Sequence, residues 1–485
     1  MPFILPPLKE SFGYYLPGHL SKPAIYPDPS YREGEPKTGS GRYAPPGLDD
    51  QEDLERLFRF YRTRRINSIA LFHNYPVLKW ENGKPTGSFD ELSLFATSMK
   101  KAGLDGKLYA EFRHLTKWCN YIAKQKRREQ GKQIPKDYFL PEVNTYFEPA
   151  LRLLLAQAEQ EQWPSMRIGT EEEVSNNAEK KAGYDTFINT LKKVCPDKAA
   201  LIDNDIGYDR PSAVDRGHRD KLIHRQYNSW TEKGLADAET DGAEIWSYNY
   251  DHGRPATGLL QVRLNSKGHH QWADQFDIGG KYFWRNSIVT EQGVITSLSI
   301  EFFHNGRLDL AAMRLLQSIA EKCGTEEKKK AEQLITELVA DVPITGNAFR
   351  SWQQVITDHD LNLRRWKVFS EIERLQAGLN GRNPVQTQVN HSEIQTSLRY
   401  LKRESPAAAK VSDTIKALFS PRKLKFFDDE NRKFFGRGTG PLGYIASQEN
   451  RLRAICSSED EFRRQYAPSY GEGFLCYTQE GLAFS

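Results

Sequence analysis

Short β-rich runs alternate with amphipathic helical stretches along the first two thirds of the chain, and this alternation restricts its folds more than any other feature. The runs are 11–16, 68–73, 107–112, 165–170, 200–203, 221–226, 243–248 and 281–284. Between them, apolar residues recur at three- and four-residue spacing, as in Leu54, Leu57, Phe58 and Tyr61. That period marks one buried helical face. Helices are expected over 49–65, 89–102, 145–162, 178–194 and 231–241, a short one over 269–276, and a closing one over 308–323. Strands separated by helices become parallel neighbours joined by crossovers. Eight such units predict an α/β chain with a (β/α)8 TIM-type barrel over residues 10–323. An open doubly wound sheet is the other arrangement of the same units. No Gly-rich phosphate loop follows the first run, which removes the main support for its nucleotide-binding version.

Beyond Gly324 the texture changes to charged, helix-favouring sequence with apolar stripes over 326–339, 348–379 and 393–402. A helical segment is therefore expected over 324–420. Residues 421–485, with paired phenylalanines among charges and a Gly-rich stretch at 436–441, are expected to be irregular and to pack on the rest. The helical segment could also serve assembly, so a homo-oligomer is among the expected states.

Charge excludes one class of partner. Lys and Arg number 68 against 64 Asp and Glu, with the signs interleaved, so no basic field gathers phosphates and no nucleic acid is expected. The five cysteines are widely spaced, without a C-x-x-C pair or neighbouring His pairs, and read as free, mostly buried thiols. No H-E-x-x-H or comparable ligand spacing occurs, so neither metal nor cofactor is expected. The amino terminus lacks a basic region followed by a long apolar run, and no stretch is long enough to span a bilayer. The chain reads as soluble without a membrane partner, its compartment open between cytoplasm and export.

Aromatic residues make up 12% of the chain, and many fall at the ends of the expected strands. Polar groups gather there too. The candidate substrate-binding set is Tyr15, His73, Glu111, Arg113, Asp203, Asp205, His224, Tyr227, Trp246, Tyr248, Asn249, Trp284 and Glu301. In a barrel of this kind, strand ends form the rim where chemistry is done. The sharpest local feature is Glu171-Glu172-Glu173, directly after the fourth run. Adjacent carboxylates, partly buried, divide into a protonated acid and an ionised partner, the division glycosidic cleavage needs. An acid-rich helix amino terminus would produce the same triplet without catalysis. A serine hydrolase is disfavoured because no Gly-x-Ser-x-Gly elbow occurs.

Three stretches together resemble glycoside hydrolase family 123, the β-N-acetylgalactosaminidases. They are Glu171-Glu172, where the family has Asp-Glu; Trp246-Ser-Tyr-Asn249 followed by 267–272 and 281–284; and Glu301, Gly306 and Asp309 in the last segment. The likeness covers roughly residues 160–323. It implies a carbohydrate substrate, with Glu172 as general acid and Glu171 orienting a substrate acetamido group; from the residues alone, Glu173 stays open as the partner. A glycan-binding barrel without turnover, or a structural assembly protein, would carry the same rim.

Overall fold

A computed structural model of the chain describes residues 5–16, 51–71, 76–169, 178–203, 223–251, 253–272, 274, 276–278, 282–284, 286–290, 293–353, 355–356, 358–380, 474–478 and 481–484. It is a mixed α/β structure organised around a parallel, nearly closed, barrel-like sheet. The strands of that sheet are β1 (Ser11–Leu16), β2 (Ser68–Leu71), β5 (Leu108–Glu111), β6 (Met166–Gly169), β7 (Ala200–Asp203), β8 (His224–Tyr227), β9 (Glu244–Tyr248) and β10 (Gly268–Gln271). Their spatial order is β6-β5-β2-β1-β10-β9-β8-β7, so each strand neighbours the next one of the set in sequence. The two edge strands meet through one parallel bridge, Ile168 to Ala199, and the Ile168 amide donates to the Lys198 carbonyl at 2.7 Å.

Side chains alternate across this sheet as strand geometry requires. Phe12, Tyr14 and Leu16 of β1, Ile69 and Leu71 of β2, and Leu108 and Ala110 of β5 face the helices, in a core shared with α1 (Gln51–Thr63), α2 (Asp90–Ala102), α3 (Arg113–Glu129) and α4 (Asn144–Gln160). Tyr15, Ala70, Tyr109, Ala200 and Tyr248 form a separate cluster inside the sheet. A third core joins Tyr227, Trp230 and the segment 256–264 to Leu316, Ile335, Leu338, Val368 and Ile372. The helical segment after residue 324 is thus packed on the barrel-like body through shared apolar side chains.

The structure corrects several expected elements. The eighth strand of the sheet is Gly268–Gln271, where a short helix was expected, while Tyr282–Trp284 pairs antiparallel with Phe276–Ile278 in a hairpin. The run Gly268-His-His-Gln lacks apolar alternation, yet all four residues are buried with polar partners on both faces. Internal hydrogen bonds replace the apolar signal on which pattern reading depends. The last helix of the body starts at Leu298, ten residues before its expected start, and the stretch 348–379 divides into Gly346–Trp352 and Asp358–Leu379. The elements not anticipated include α3, the helical pair Arg254–Thr257 and Leu259–Arg263, a hairpin of β3 (Val77–Glu81) and β4 (Lys84–Ser88), a second hairpin of Ser287–Thr290 and Gly293–Ser297, and the strands Phe474–Thr478 and Gly481–Phe484, where irregular chain was expected. In the turn between β3 and β4, Asn82 and Gly83 both take positive φ, 51° and 78°, as a tight two-residue turn requires. Phe474–Thr478 and Gly481–Phe484 close the described chain by adding two antiparallel strands to Gly293–Ser297. The expected helix over 393–402 lies outside the described residues. Among the described residues, no helix is long and apolar enough to cross a membrane.

Candidate functional site

The interior of the sheet is filled from its amino-terminal end upward. At the bottom, Glu244 accepts from Lys107 Nζ at 2.8 and 2.9 Å, from Arg167 Nη2 at 2.9 Å and from Trp246 Nε1 at 3.2 Å. Burial acts to raise the Glu244 pKa, but the Lys107 hydrogen bonds and the Arg167 charge outweigh it and hold the carboxyl below its usual range. Above this ion cluster the His224 and Trp246 rings stack with centroids 4.4 Å apart. Tyr109 lies over His224 at 6.2 Å.

A polar chain climbs through the next layers. Ser68 Oγ contacts the Lys107 carbonyl and lies 3.1 Å from His270 Nε2. The two ends of the Gln226 amide lie 3.0 Å from His270 Nδ1 and 3.3 Å from Tyr15 Oη. Burial, with His269 adding, pushes the His270 pKa down to about 3, so the ring is neutral at pH 7 and carries one proton. Gln226 Oε1 faces His270 Nδ1, and its Nε2 donates to Tyr15 Oη. With its single ring proton on Nδ1, His270 donates to Gln226 and presents the Nε2 lone pair to Ser68 Oγ.

At the carboxyl-terminal end the chain meets an aromatic wall. Tyr15 touches Tyr248 (5.3 Å between centroids, 78°), Trp272 (5.7 Å) and Tyr109 (6.1 Å). Glu111, 1% exposed, ends β5 in register with Gly169, the last residue of β6. Gly169 has no room for a side chain: a Cβ there would stand 2.3 Å from Tyr109 Oη. Arg113 and His114, half-buried, open α3 beside Glu111. Asp274, fully buried, receives Tyr61 Oη at 2.5 Å, the Asn286 amide at 2.6 Å and the Ser287 hydroxyl, while its own amide donates to the Tyr15 carbonyl. It ties the segment after β10 to the first strand. Burial and then the Asp274 charge push the Tyr14 and Tyr61 hydroxyls well above their usual range.

Of the sequence-derived set, the structure brings Tyr15, Glu111, Arg113 and Tyr248 to this end, with Asn249 just beyond, at φ 48°, accepting from Gln271 Nε2 at 2.5 Å. Asp203 ends β7 on the same side. Five placements are corrected. His224 begins β8 because that strand runs over 224–227, and Trp246 lies deep in the interior above Glu244. Tyr227 turns outward by strand alternation and packs edge-on against Trp230 at 4.8 Å. Glu301 stands in the helical layer, paired with Arg64 Nε at 2.5 Å, and Trp284 lies on the hairpin outside the sheet. Glu171, Glu172, Glu173, His73 and Asp205 lie outside the described residues. Sequence reasoning missed Tyr109, His270, Trp272 and Asp274. Period-two counting from Glu111 and Trp246 identifies Tyr109 and Tyr248 as inward neighbours, but nothing local marks His270 or Asp274.

The segment that opened the last helix has a packing role. Gly306 lets this helix approach the chain at 254–258, since a Cβ would lie 2.2 Å from Thr257 Oγ1 and 2.3 Å from the Arg254 carbonyl. Asp309 takes Arg254 Nε at 2.6 Å and Nη2 at 3.0 Å, and also Arg365 Nε from the helix Asp358–Leu379. Cys119, Cys195 and Cys323 are free thiols, and burial pushes Cys195 up to about 12. Among the described residues, no group of His, Cys, Asp or Glu is arranged to hold a metal ion.

No family model matches the chain, and no curated protein matches it in sequence. Among solved structures it is similar to a family 123 glycoside hydrolase from Clostridium perfringens (TM-score 0.39, 12% identity, 68% of this chain and 64% of that one). It is also similar to a GH138 enzyme targeting pectin rhamnogalacturonan II (TM-score 0.35, 12% identity, 64% and 40%). A third is a mutant O-GlcNAc hydrolase of Thermobaculum terrenum (TM-score 0.27, 10% identity, 76% and 87%). The chain spans less than two thirds of the length of the first two.

Proposed function

We propose that this chain is a glycoside hydrolase on a (β/α)8 barrel of residues 10–323, acting on an oligo- or polysaccharide with Glu172 as general acid and Glu171 as its charge-stabilising or acetamido-orienting partner. The observation that carries this reading is the end of β6. Gly169 stands in register with Glu111 and against Tyr109, beside the wall of Tyr15, Tyr248 and Trp272. The acidic run begins two residues later in the chain. Aromatic faces suit stacking on sugar rings, and a cleft that excludes water raises the pKa of one carboxylate while leaving its neighbour charged. The Lys107–Glu244–Arg167 cluster and the stacked rings fill the opposite end, so substrate approaches from the strand ends. The polar chain from Ser68 to Tyr15 holds one wall residue by a hydrogen bond from below.

General acid assistance contributes about 10²–10⁴-fold to rate. Release of chromophore from aryl glycosides, with and without a 2-acetamido group, tests the reading with wild type and Glu172→Gln side by side. Cleavage confined to acetamido sugars and lost in the variant supports substrate assistance; cleavage of plain sugars supports two carboxylates acting directly. Wild-type turnover in Glu172→Gln removes that residue from the mechanism. Binding of glycans without turnover by the wild type would replace hydrolysis by recognition.

A further inference from the structure

The opposite end of the sheet holds a cavity of about 400 Å³ below the amino-terminal ends of β1, β2 and β5, lined by Leu8, Arg62, Arg65, Asn67, Asp105 and Arg307 among others. Arg307 projects from the last helix of the body and is 1% exposed, with its guanidinium 4.0 Å from the centre of the Phe12 ring. Its Nε and Nη1 are sealed from solvent with no hydrogen-bond partner. A ring face compensates part of a cation's desolvation, but a buried guanidinium without an anion is costly. Burial and the neighbouring Arg65 charge accordingly pull the Arg307 pKa well down.

The nearby carboxylates are engaged elsewhere. Glu10 receives Arg314 Nε at 2.7 Å, and Asp105 receives Asn67 Nδ2 at 3.3 Å. Arg65 is held by the carbonyls of Pro6 and Leu5 at 2.7 and 3.1 Å, which fixes its position and leaves its charge unpaired. Arg62 lies on the exposed rim against Gly103, with a distant 3.5 Å contact to the Ala102 carbonyl. Three guanidiniums therefore face one carboxylate in a cavity larger than a bare oxyanion needs.

We propose that this cavity binds a phosphate monoester, with the dianionic phosphoryl group placed among Arg62, Arg65 and Arg307 and the esterified body filling the remaining volume. The charges match, since three arginines and Asp105 leave an excess of two positive charges for a phosphate dianion. Guanidiniums pair with phosphate oxygens through directed, charge-assisted hydrogen bonds. A cavity of this size falls within the range of small-molecule sites. The site lies at the end of the sheet away from the strand-end rim, so its occupancy is read as binding, independently of turnover.

Calorimetric titration of the full chain with inorganic phosphate and with glucose 6-phosphate, at ionic strength held constant by sodium chloride, tests the site. Saturable one-to-one binding is expected. Arg62→Gln, on the rim where folding is undisturbed, is expected to weaken it by about tenfold or more, the loss of one charge-assisted hydrogen bond. Arg307→Met is expected to abolish it, and Arg62→Gln carries the test if that variant does not fold. Tighter binding of the monoester supports a metabolite ligand, and equal binding supports free phosphate at the same residues. Absence of saturable binding of either probe, or wild-type affinity in Arg62→Gln, overturns the proposal.

Discussion

Replacing Gly169 by alanine tests the link between the interior packing and the strand end that leads into the acidic run. The added Cβ would stand 2.3 Å from Tyr109 Oη, and ordinary contact begins near 3.4 Å. Tyr109 cannot swing away to supply the difference. It is fully buried, 6.1 Å from Tyr15 and 6.2 Å from both His224 and His270 by ring centroids. Either the ring leaves its packed position or β6 shifts outward, and overpacking of this kind costs about 1–3 kcal/mol. Tyr109→Phe removes the oxygen and leaves the ring carbon Cζ at 3.2 Å, a few tenths of an ångström inside ordinary contact. The double variant should therefore be more stable than Gly169→Ala alone, although Tyr109→Phe by itself gains nothing. Urea unfolding followed by tryptophan fluorescence, as a double-mutant cycle, measures the coupling. Under the proposed hydrolase reading, turnover gives a second readout, because a displacement of about 1 Å at a catalytic group costs on the order of 100-fold. Strictly additive losses, or a Gly169→Ala protein as stable as wild type, would refute the packing argument.

Two further perturbations address other parts of the fold. Asp309→Asn leaves Arg254 and Arg365 without their shared carboxylate at a site where Asp309 is 4% exposed, and breaking a buried pair in this way costs about 3–5 kcal/mol. The expected result is a lowered urea midpoint with earlier proteolysis within Asp358–Leu379, and an unchanged midpoint would place the anchorage elsewhere. Acid should destabilise the fold through its buried imidazoles. Burial, first among the causes, holds His270 at about 3 and His304 at about 4, so both stay neutral in the fold while the unfolded chain takes up protons below about pH 6.5. The stability they contribute is fully present above that pH and is lost as pH falls toward about 3–4, at up to about 1.4 kcal/mol per pH unit for each ring. Between pH 6 and 4, His270→Gln should lose stability less steeply than wild type; equal slopes would mean that His270 is protonated in the fold.

Much of the architecture was legible because the outer face of the sheet follows a simple rule. Phe12, Tyr14 and Leu16, then Ile69 and Leu71, then Leu108 and Ala110 alternate with inward residues, and the helices between them carry one apolar stripe. Local hydrophobic period is a property of consecutive residues, so seven of the eight strand positions could be read without knowing what they pack against. The candidate site was half legible for the same reason. Glu111 and Tyr248 are the last residues of their strands and Tyr15 the last but one, so end-of-run counting finds them, whereas His224 and Trp246 required knowing where each strand begins.

What the chain determined by itself was the alternation of strand and helix and seven of the eight strand positions of the sheet. Tertiary structure alone decided which polar residues were interior. The strand Gly268–Gln271 is stable because Ser68, Gln226, Ser247 and Asn249, drawn from three other strands and the end of one, supply its hydrogen bonds. The same is true of Gly306 and Asp309, whose pattern suggested a site but whose partners, Thr257, Arg254 and Arg365, assign them to packing. Buried polar groups are satisfied by neighbours distant in sequence, and no local period encodes that choice of partner.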